Sequence, residues 1–258
     1  MLGRDVLQAA PDAVGLTREE LDVTDAEAVR RAIAETRPDA IVNCAAYTDV
    51  DGAESDEETA TRVNGSSALA EAAGDAVLVY PSTDYVFDGR KRDPYVESDP
   101  VAPQGAYGRS KLAGEQATAR APRHVIARTS WLFGVAGKNF VETMLGLDGE
   151  LKVVDDQVGS PTYTAHLAEA LVDLASGRLT GVVHVAGAGQ CSWYEFAGEI
   201  FRRAGRDVEL RPCTTEEYPR PAPRPAYSVL RSERPDAPQL PDWRDGLAAY
   251  LSERAVAR

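Results

Sequence analysis

Val77-Leu78-Val79-Tyr80-Pro81-Ser82-Thr83-Asp84-Tyr85-Val86-Phe87-Asp88-Gly89 is an apolar run that turns abruptly into hydroxyls and acids. A short continuous apolar stretch closed by turn residues reads as a strand buried on both faces, here Val77 to Pro81. Working outward from it, a loop rich in Pro and Gly leads into a helix from about Tyr107 to Arg120, and a strand follows from His124 to Thr129. Upstream lie a strand from Ala40 to Cys44 and a long helical stretch from about Asp56 to Ala73. Thr24-Asp25-Ala26-Glu27 reads as a capping box before Ala26, Val29 and Ile33, which repeat on one helical face, and Arg37-Pro38 ends that helix. Strands alternating with helices at this spacing imply parallel βαβ units, so the fold class is α/β.

Beyond Phe133 the elements shorten. The pattern predicts helices at 139–147, 164–176 and 192–204, and strands at 151–154 and 181–186. The run Tyr218-Pro219-Arg220-Pro221-Ala222-Pro223-Arg224-Pro225 excludes regular helix or strand and reads as a linker or a rigid binding loop. Two regions follow: 1–133 as a dinucleotide-binding domain with later elements interleaved, and 134–258 mainly as a substrate lobe.

With 258 residues, 43% hydrophobic and 27% charged, the chain has the composition of a folded globular protein. No apolar run reaches the ~18 residues of a membrane helix, and the N-terminus lacks the pattern of a signal peptide, so the expectation is a cytoplasmic protein. A net charge of −13 argues against nucleic acid and acidic membranes as partners. Cys44, Cys191 and Cys213, like His124, His166 and His184, are scattered without metal-ligand spacing, so no metal site is expected.

Tyr107-Gly108-Arg109-Ser110-Lys111 places a phenol and an ammonium on one helical face. Ten tyrosines and four lysines would give about 0.16 such pairs by chance, so the spacing alone separates an exposed helix pair from a site only moderately. Its place decides in favour of a site: the pair opens a helix beside a strand that ends in hydroxyls, where ligands lie on a parallel sheet.

These residues, with STDYVFDG (82–89), RTSWLFG (128–134), KNFV (138–141), DDQVGSPTYT (155–164) and HVAGAGQCSWYEFA (184–197), resemble the extended short-chain dehydrogenase/reductase superfamily. Within it they resemble the dTDP-4-dehydrorhamnose reductase family. The resemblance implies a Rossmann-type doubly wound parallel sheet with a smaller C-terminal α/β lobe, and NADPH-dependent reduction of a 4-keto group on a dTDP-linked 6-deoxysugar. Tyr107 would protonate the carbonyl oxygen; Lys111 would draw the phenol toward neutral pKa and hold the nicotinamide ribose; Thr83 would polarise the carbonyl. Sugar-nucleotide dehydratases carry Asp-Glu after that Thr. Asp84-Tyr85 here favours simple reduction.

On the cofactor side the family's G-x-x-G-x-x-G turn is represented only by Gly3, its last glycine, and the first strand is absent from the sequence. The expectation is that about ten residues of strand and glycine turn precede Met1 in the full gene product, and that the 258-residue form binds NADPH weakly. Leu16-Thr17-Arg18 would end the next strand, with Thr17 and Arg18 suited to a 2′-phosphate and so to NADPH over NADH; Arg18 read alone is equally a solvated surface charge. Asp22 and Val23 match the adenine side, and Ala45, Ala46 and Tyr47 the turn beneath the dinucleotide.

On the substrate side the resemblance assigns Trp131 to the deoxysugar, Asn139, Phe140 and Gln157 to the nucleotide-sugar, Val50 to the opposite wall and Arg224 to the diphosphate. Tyr227 replaces the family's Asn, and Asn64 is expected to brace the sheet. Relatives differ in whether acidic residues bridge subunits through Mg2+, and a homodimer is compatible with the family. Two other readings share the sequence. One is a 4-ketoreductase for a different antibiotic deoxysugar. The other is a non-catalytic homologue resembling the regulatory subunit of methionine adenosyltransferase, favoured by the missing turn and opposed by Thr83, Tyr107 and Lys111.

Overall fold

The computed structural model describes residues 1–256. Its first part runs α1 (Leu2–Ala9), α2 (Ala26–Thr36), β1 (Ala40–Val42), α3 (Gly52–Ser55), α4 (Glu57–Asn64), α5 (Ala68–Ala72), β2 (Val77–Thr83), α6 (Ala106–Thr118) and β3 (His124–Thr129). It continues through β4 (Leu132–Phe133), α7 (Phe140–Leu145), β5 (Glu150–Val154), β6 (Val158–Gly159), β7 (Thr162–Tyr163), α8 (Thr164–Leu174), β8 (Gly181–His184), β9 (Cys191–Ser192), α9 (Trp193–Arg203), β10 (Glu209–Cys213) and α10 (Trp243–Val256).

The main sheet is parallel throughout, in the order β1-β2-β3-β8. β2 is buried at every position because both its faces are covered, as a parallel sheet requires. Val77 and Val79 point into a core shared with Val6 of α1 and Leu167 and Leu171 of α8. Leu78 points the other way, toward Val29 of α2 and Leu69 of α5. α6 packs on that second face, where Gly114 leaves room for the Tyr80 hydroxyl, which donates to the Asn64 carbonyl at 3.0 Å. A second core, built on Phe133, Phe196, Ile200, Trp243, Leu247 and Tyr250, joins α7, α9 and α10 over the β5–β10 pair.

Three local expectations need correction. The strand ending at Leu16-Thr17-Arg18 does not form, and residues 13–24 are irregular. Local bonds win there: Thr17 donates to Glu20 from its amide and hydroxyl at 2.8 and 2.9 Å, and Thr24 donates to Asp22 in the same way at 2.8 Å each. Asp25, not Thr24, caps α2, accepting from the amides of Glu27 and Ala28, so no reciprocal capping box is made. The helical stretch over 56–73 breaks after Asn64, where Gly65 closes α4 and Ser66 turns its hydroxyl to the Val23 carbonyl at 2.6 Å.

β1 pairs with β2 along one edge only, among the described residues. Its other edge forms part of the wall of a cleft of about 1220 Å³, with α1 on one side and the irregular 12–24 segment on the other.

Candidate active site

The chain turns sharply at the carboxyl end of β2. Thr83 leaves the strand in an extended conformation, its hydroxyl accepts from the Tyr85 amide at 3.2 Å, and Asp84–Val86 then form one turn of 3-10 helix. That turn lies against the start of α6, where Gly108 is required because a Cβ would strike the Tyr85 carbonyl. The Tyr85 and Tyr107 rings meet edge-on with centroids 5.7 Å apart. Thr83, Asp84, Tyr85 and Tyr107 are thereby brought together.

Tyr107 is half-buried, whereas Lys111, one turn along, is 3% exposed. The Lys111 ammonium donates to the Pro81 carbonyl at 2.7 Å and lies 4.0 Å from the centre of the Tyr80 ring. Burial drives its pKa down to about 7, opposed first by Glu115 and then by Cys44. The Tyr107 phenol is pushed well above its ordinary value, by burial and then by Asp84, while a hydrogen bond with Thr83 pulls the other way. This differs from the expected Lys-assisted lowering. The ammonium is engaged by Pro81 and Tyr80, so burial governs the phenol, and Tyr107 holds its proton at neutral pH. Asp84, fully enclosed, is raised to about 7 by burial; Ser228 and Thr83 oppose the shift.

Asn64 braces this end of the sheet. It joins the amide and carbonyl of Tyr47 at 2.8 and 3.1 Å to the Ser110 hydroxyl at 2.9 Å, tying the turn after β1 to α6.

Gly3, Thr17, Arg18, Asp22, Val23, Ala45, Ala46 and Tyr47 all line the one cleft. Arg62, which belongs to no sequence motif, lines it too and acts with Arg18 on Asp22. A Cβ on Gly3 would lie 3.3 Å from Cys44 Cβ, so glycine lets the start of α1 approach the turn after β1 closely. The inner end of the cleft reaches Tyr47, which packs with Tyr107 on the small Ala53, Ala60 and Ala106 cluster. A nicotinamide dinucleotide fits this arrangement. Two guanidinium groups stand at the end proposed for the adenosine phosphate and the small Ala45 and Ala46 leave the turn after β1 open, while the rest of the cleft runs along the unpaired edge of β1 to Pro38 and Asp39, past Ile33, Val172 and Ala175.

The other candidates fall into two groups. Arg224 donates to Asp51 at 3.0 Å, with its guanidinium 5.9 Å from the centre of the Tyr85 ring, which brings the proline-rich segment and the Val50–Asp51 turn to the catalytic end. The segment is thus a packed loop, not a linker. Trp131, just past β3, has φ 47° and stacks on Trp193 with centroids 3.5 Å apart, and Phe140 closes the cluster at 4.6 Å from Trp193. Sequence reasoning gives Trp193 no role; it opens α9 behind the Ser192–Glu195 capping box. Gly159 is a second residue that sequence reasoning passes over, since any Cβ there would enter the Trp131 indole. Asn139 is occupied locally, capping α7 through the Glu142 amide and donating to the Gly134 carbonyl at 2.8 Å. Gln157 donates to the Thr215 hydroxyl at 2.9 Å. Both are thus committed to holding their own loops.

The family model described as RmlD substrate binding domain matches residues 1–256. A dTDP-4-dehydrorhamnose reductase of Mycolicibacterium smegmatis is 46% identical over 249 residues, covering 91% of this chain and 76% of that protein. Two solved structures are similar throughout. The crystal structure of a dTDP-4-dehydrorhamnose reductase from Clostridium acetobutylicum is 42% identical with a TM-score of 0.94, covering 98% of this chain and 95% of that one. The enzyme of that name from Bacillus anthracis, in complex with NADP, is 38% identical with a TM-score of 0.92 and the same coverage.

Proposed function

The chain belongs to the RmlD substrate binding domain family, and from that premise we propose that it is an NADPH-dependent reductase acting on the 4-keto group of a dTDP-4-keto-6-deoxyhexose, converting dTDP-4-dehydrorhamnose to dTDP-L-rhamnose. One observation carries the reading: Tyr107 and Thr83 converge at the carboxyl end of β2, beside Tyr47, which packs with Tyr107 and lines the inner end of the cleft. No helix among the described residues is long and apolar enough to cross a membrane. We assign the reaction to the cytoplasm.

Thr17, Arg18, Asp22, Val23, Ala45, Ala46 and Tyr47 would hold NADPH, which would provide the hydride for the carbonyl carbon. The chain's own residues manage the oxygen. Tyr107 enters the reaction protonated, and its phenol proton passes to the carbonyl oxygen as negative charge develops there. Thr83 turns its hydroxyl proton from Asp84 Oδ1, to which it donates at 3.1 Å, toward the same oxygen, while the Tyr85 amide holds the hydroxyl oxygen in place. The Lys111 ammonium, one helical turn away, compensates the phenolate that remains. Trp131 forms the wall against the deoxysugar, and Arg224, already oriented by Asp51, presents its fork to the diphosphate.

The test is NADPH oxidation with dTDP-4-dehydrorhamnose, followed by product identification. Tyr107→Phe should lower turnover by ~100-fold or more while leaving cofactor affinity close to wild type, because proton transfer acts only in the transition state. Wild-type turnover in that variant would remove Tyr107 from the mechanism.

A further inference from the structure

Behind the reacting groups lies a buried ion pair that the reaction above does not use. Glu115 sits one turn beyond Lys111 on α6 and is 4% exposed; Arg128, in the middle sheet strand β3, is 5% exposed. The guanidinium grips the carboxylate with two bonds, Nε to Oε1 at 2.9 Å and Nη2 to Oε2 at 2.8 Å, and the Ser82 hydroxyl donates to Oε1 at 2.5 Å. Ser82 is also the ladder partner of Arg128 and the residue before Thr83. Three elements are thus clamped to one carboxylate directly beneath the site.

A clamp between α6 and the sheet could have been built from apolar residues at lower desolvation cost. A charge fixed at that depth has an electrostatic consequence for its neighbours. Lys111 is the one buried lysine among the described residues, with only a carbonyl and a ring face in direct contact with its ammonium. The ionisable groups around it are Glu115 and Tyr107 on its own helix, Tyr80 on β2, Asp84 in the turn after it, Cys44 after β1, and Arg128 behind Glu115. Burial pushes the Cys44 thiol up to about 11, and Tyr80 and Tyr107 are raised above their ordinary values, so all three are neutral at neutral pH. Asp84 acts on Tyr107, whereas Glu115, one turn along the same helix, is the group that most favours the charged form of Lys111.

We propose that Glu115, held by Arg128 and Ser82, is a positioning residue that keeps Lys111 protonated, so the buried pair sets the pH range over which the site carries its ammonium. The proposal rests on Lys111 being a site residue, as in the reductase reading, but its test needs neither cofactor nor turnover. The chain has four lysines, so protein labelled with 13C at lysine Cε gives four titrating signals, and Lys111→Met identifies the one of interest.

Glu115→Gln should move the Lys111 midpoint down by about one pH unit or more, a tenfold or larger loss of proton affinity, while Glu115→Asp, which keeps the charge, should recover most of it. Because Glu115→Gln leaves a buried guanidinium unpaired, the double variant Glu115→Gln/Arg128→Met is measured in parallel; with neither partner left alone it retains the fold, and its midpoint should also fall. In the full enzyme the acidic-to-basic limb of kcat/KM that reports Lys111 should shift by the same amount. A Lys111 midpoint unchanged in the double variant, or equal shifts in Glu115→Asp and Glu115→Gln, would overturn the proposal and leave the pair as a purely mechanical clamp. Loss of NADPH turnover with the midpoint shifts intact would instead count against the reductase reading alone.

Discussion

Asp84 holds its carboxyl where water cannot reach it, with Oδ1 taking the Thr83 hydroxyl at 3.1 Å and Oδ2 lacking a hydrogen-bond partner. Its folded pKa of about 7 lies above the ordinary 3.8, so between those values the native protein binds a proton that the unfolded chain has released. Stability from this residue is therefore present at low pH and lost as pH rises through 7. Asp84→Asn keeps the acceptor and removes the charge, so its melting temperature should gain on wild type progressively from pH 4 to pH 7 and then hold a constant lead. A pH-independent difference in thermal melts would show that the carboxylate is solvated. Single residues at this end are readable from the sequence where the chemistry is local: Thr83, Tyr107 and Lys111 follow from one strand end and one helical turn. The Arg224–Asp51 and Arg128–Glu115 pairs are not, since the first spans 173 positions and the second depends on which face of α6 meets β3.

α6 carries Tyr107 and Lys111 at the depth they need because Gly114 has no side chain. A Cβ there would fall on the Tyr80 hydroxyl and the Asn64 carbonyl, both already committed to each other. Gly114→Ala should therefore cost ~1–3 kcal/mol in urea unfolding, as overpacking does, although alanine is the better helix former. Gly198 in α9 offers the contrast: an added Cβ would find no neighbour closer than 3.9 Å, so Gly198→Ala should stabilise by ~0.5–1 kcal/mol. Equal effects of the two substitutions would mean that α6 can ride away from the sheet. The legible elements share a reason: β3 buries the apolar run Val125–Ala127 and α8 buries Leu167, Ala168, Leu171 and Leu174 at helical spacing, so local pattern alone finds them. β10 has only one buried position, and it forms by pairing with β5, 59 residues earlier at Glu150–Glu209, which no local pattern encodes. The 13–24 segment departs from its strand-like pattern because the Glu20 and Asp22 carboxylates capture the Thr17 and Thr24 amides that a strand would have shared.

Across the whole molecule the sheet is graded from a closed interior to an open margin. Among the described residues β2 and β3 each have a strand on both sides and are almost wholly buried, whereas β1 is half-buried and has one neighbour. Hydrogen exchange should follow this gradient: amides at 78–82 should be protected ~100-fold or more beyond those at 40–42, reporting global and local opening respectively. NADPH should slow exchange at 40–48 and leave 124–129 unchanged, and a uniform response would place the cofactor elsewhere. The cleft also gathers Arg18 and Arg62 within a protein of net charge −13, so its phosphate affinity should be a local property of those two cations rather than of the overall field. The aromatic stack on the far side has an optical counterpart. Of the three tryptophans, Trp131 and Trp193 lie ring on ring at 3.5 Å, and Trp243 is 2% exposed in the second core. Two indoles in that geometry quench each other, whereas an isolated buried indole emits steadily toward the blue. If the proposed sugar site at Trp131 is right, adding the dTDP-sugar should part the stacked pair and brighten the red side of the emission against the Trp243 standard, and an unchanged spectrum would place the sugar elsewhere.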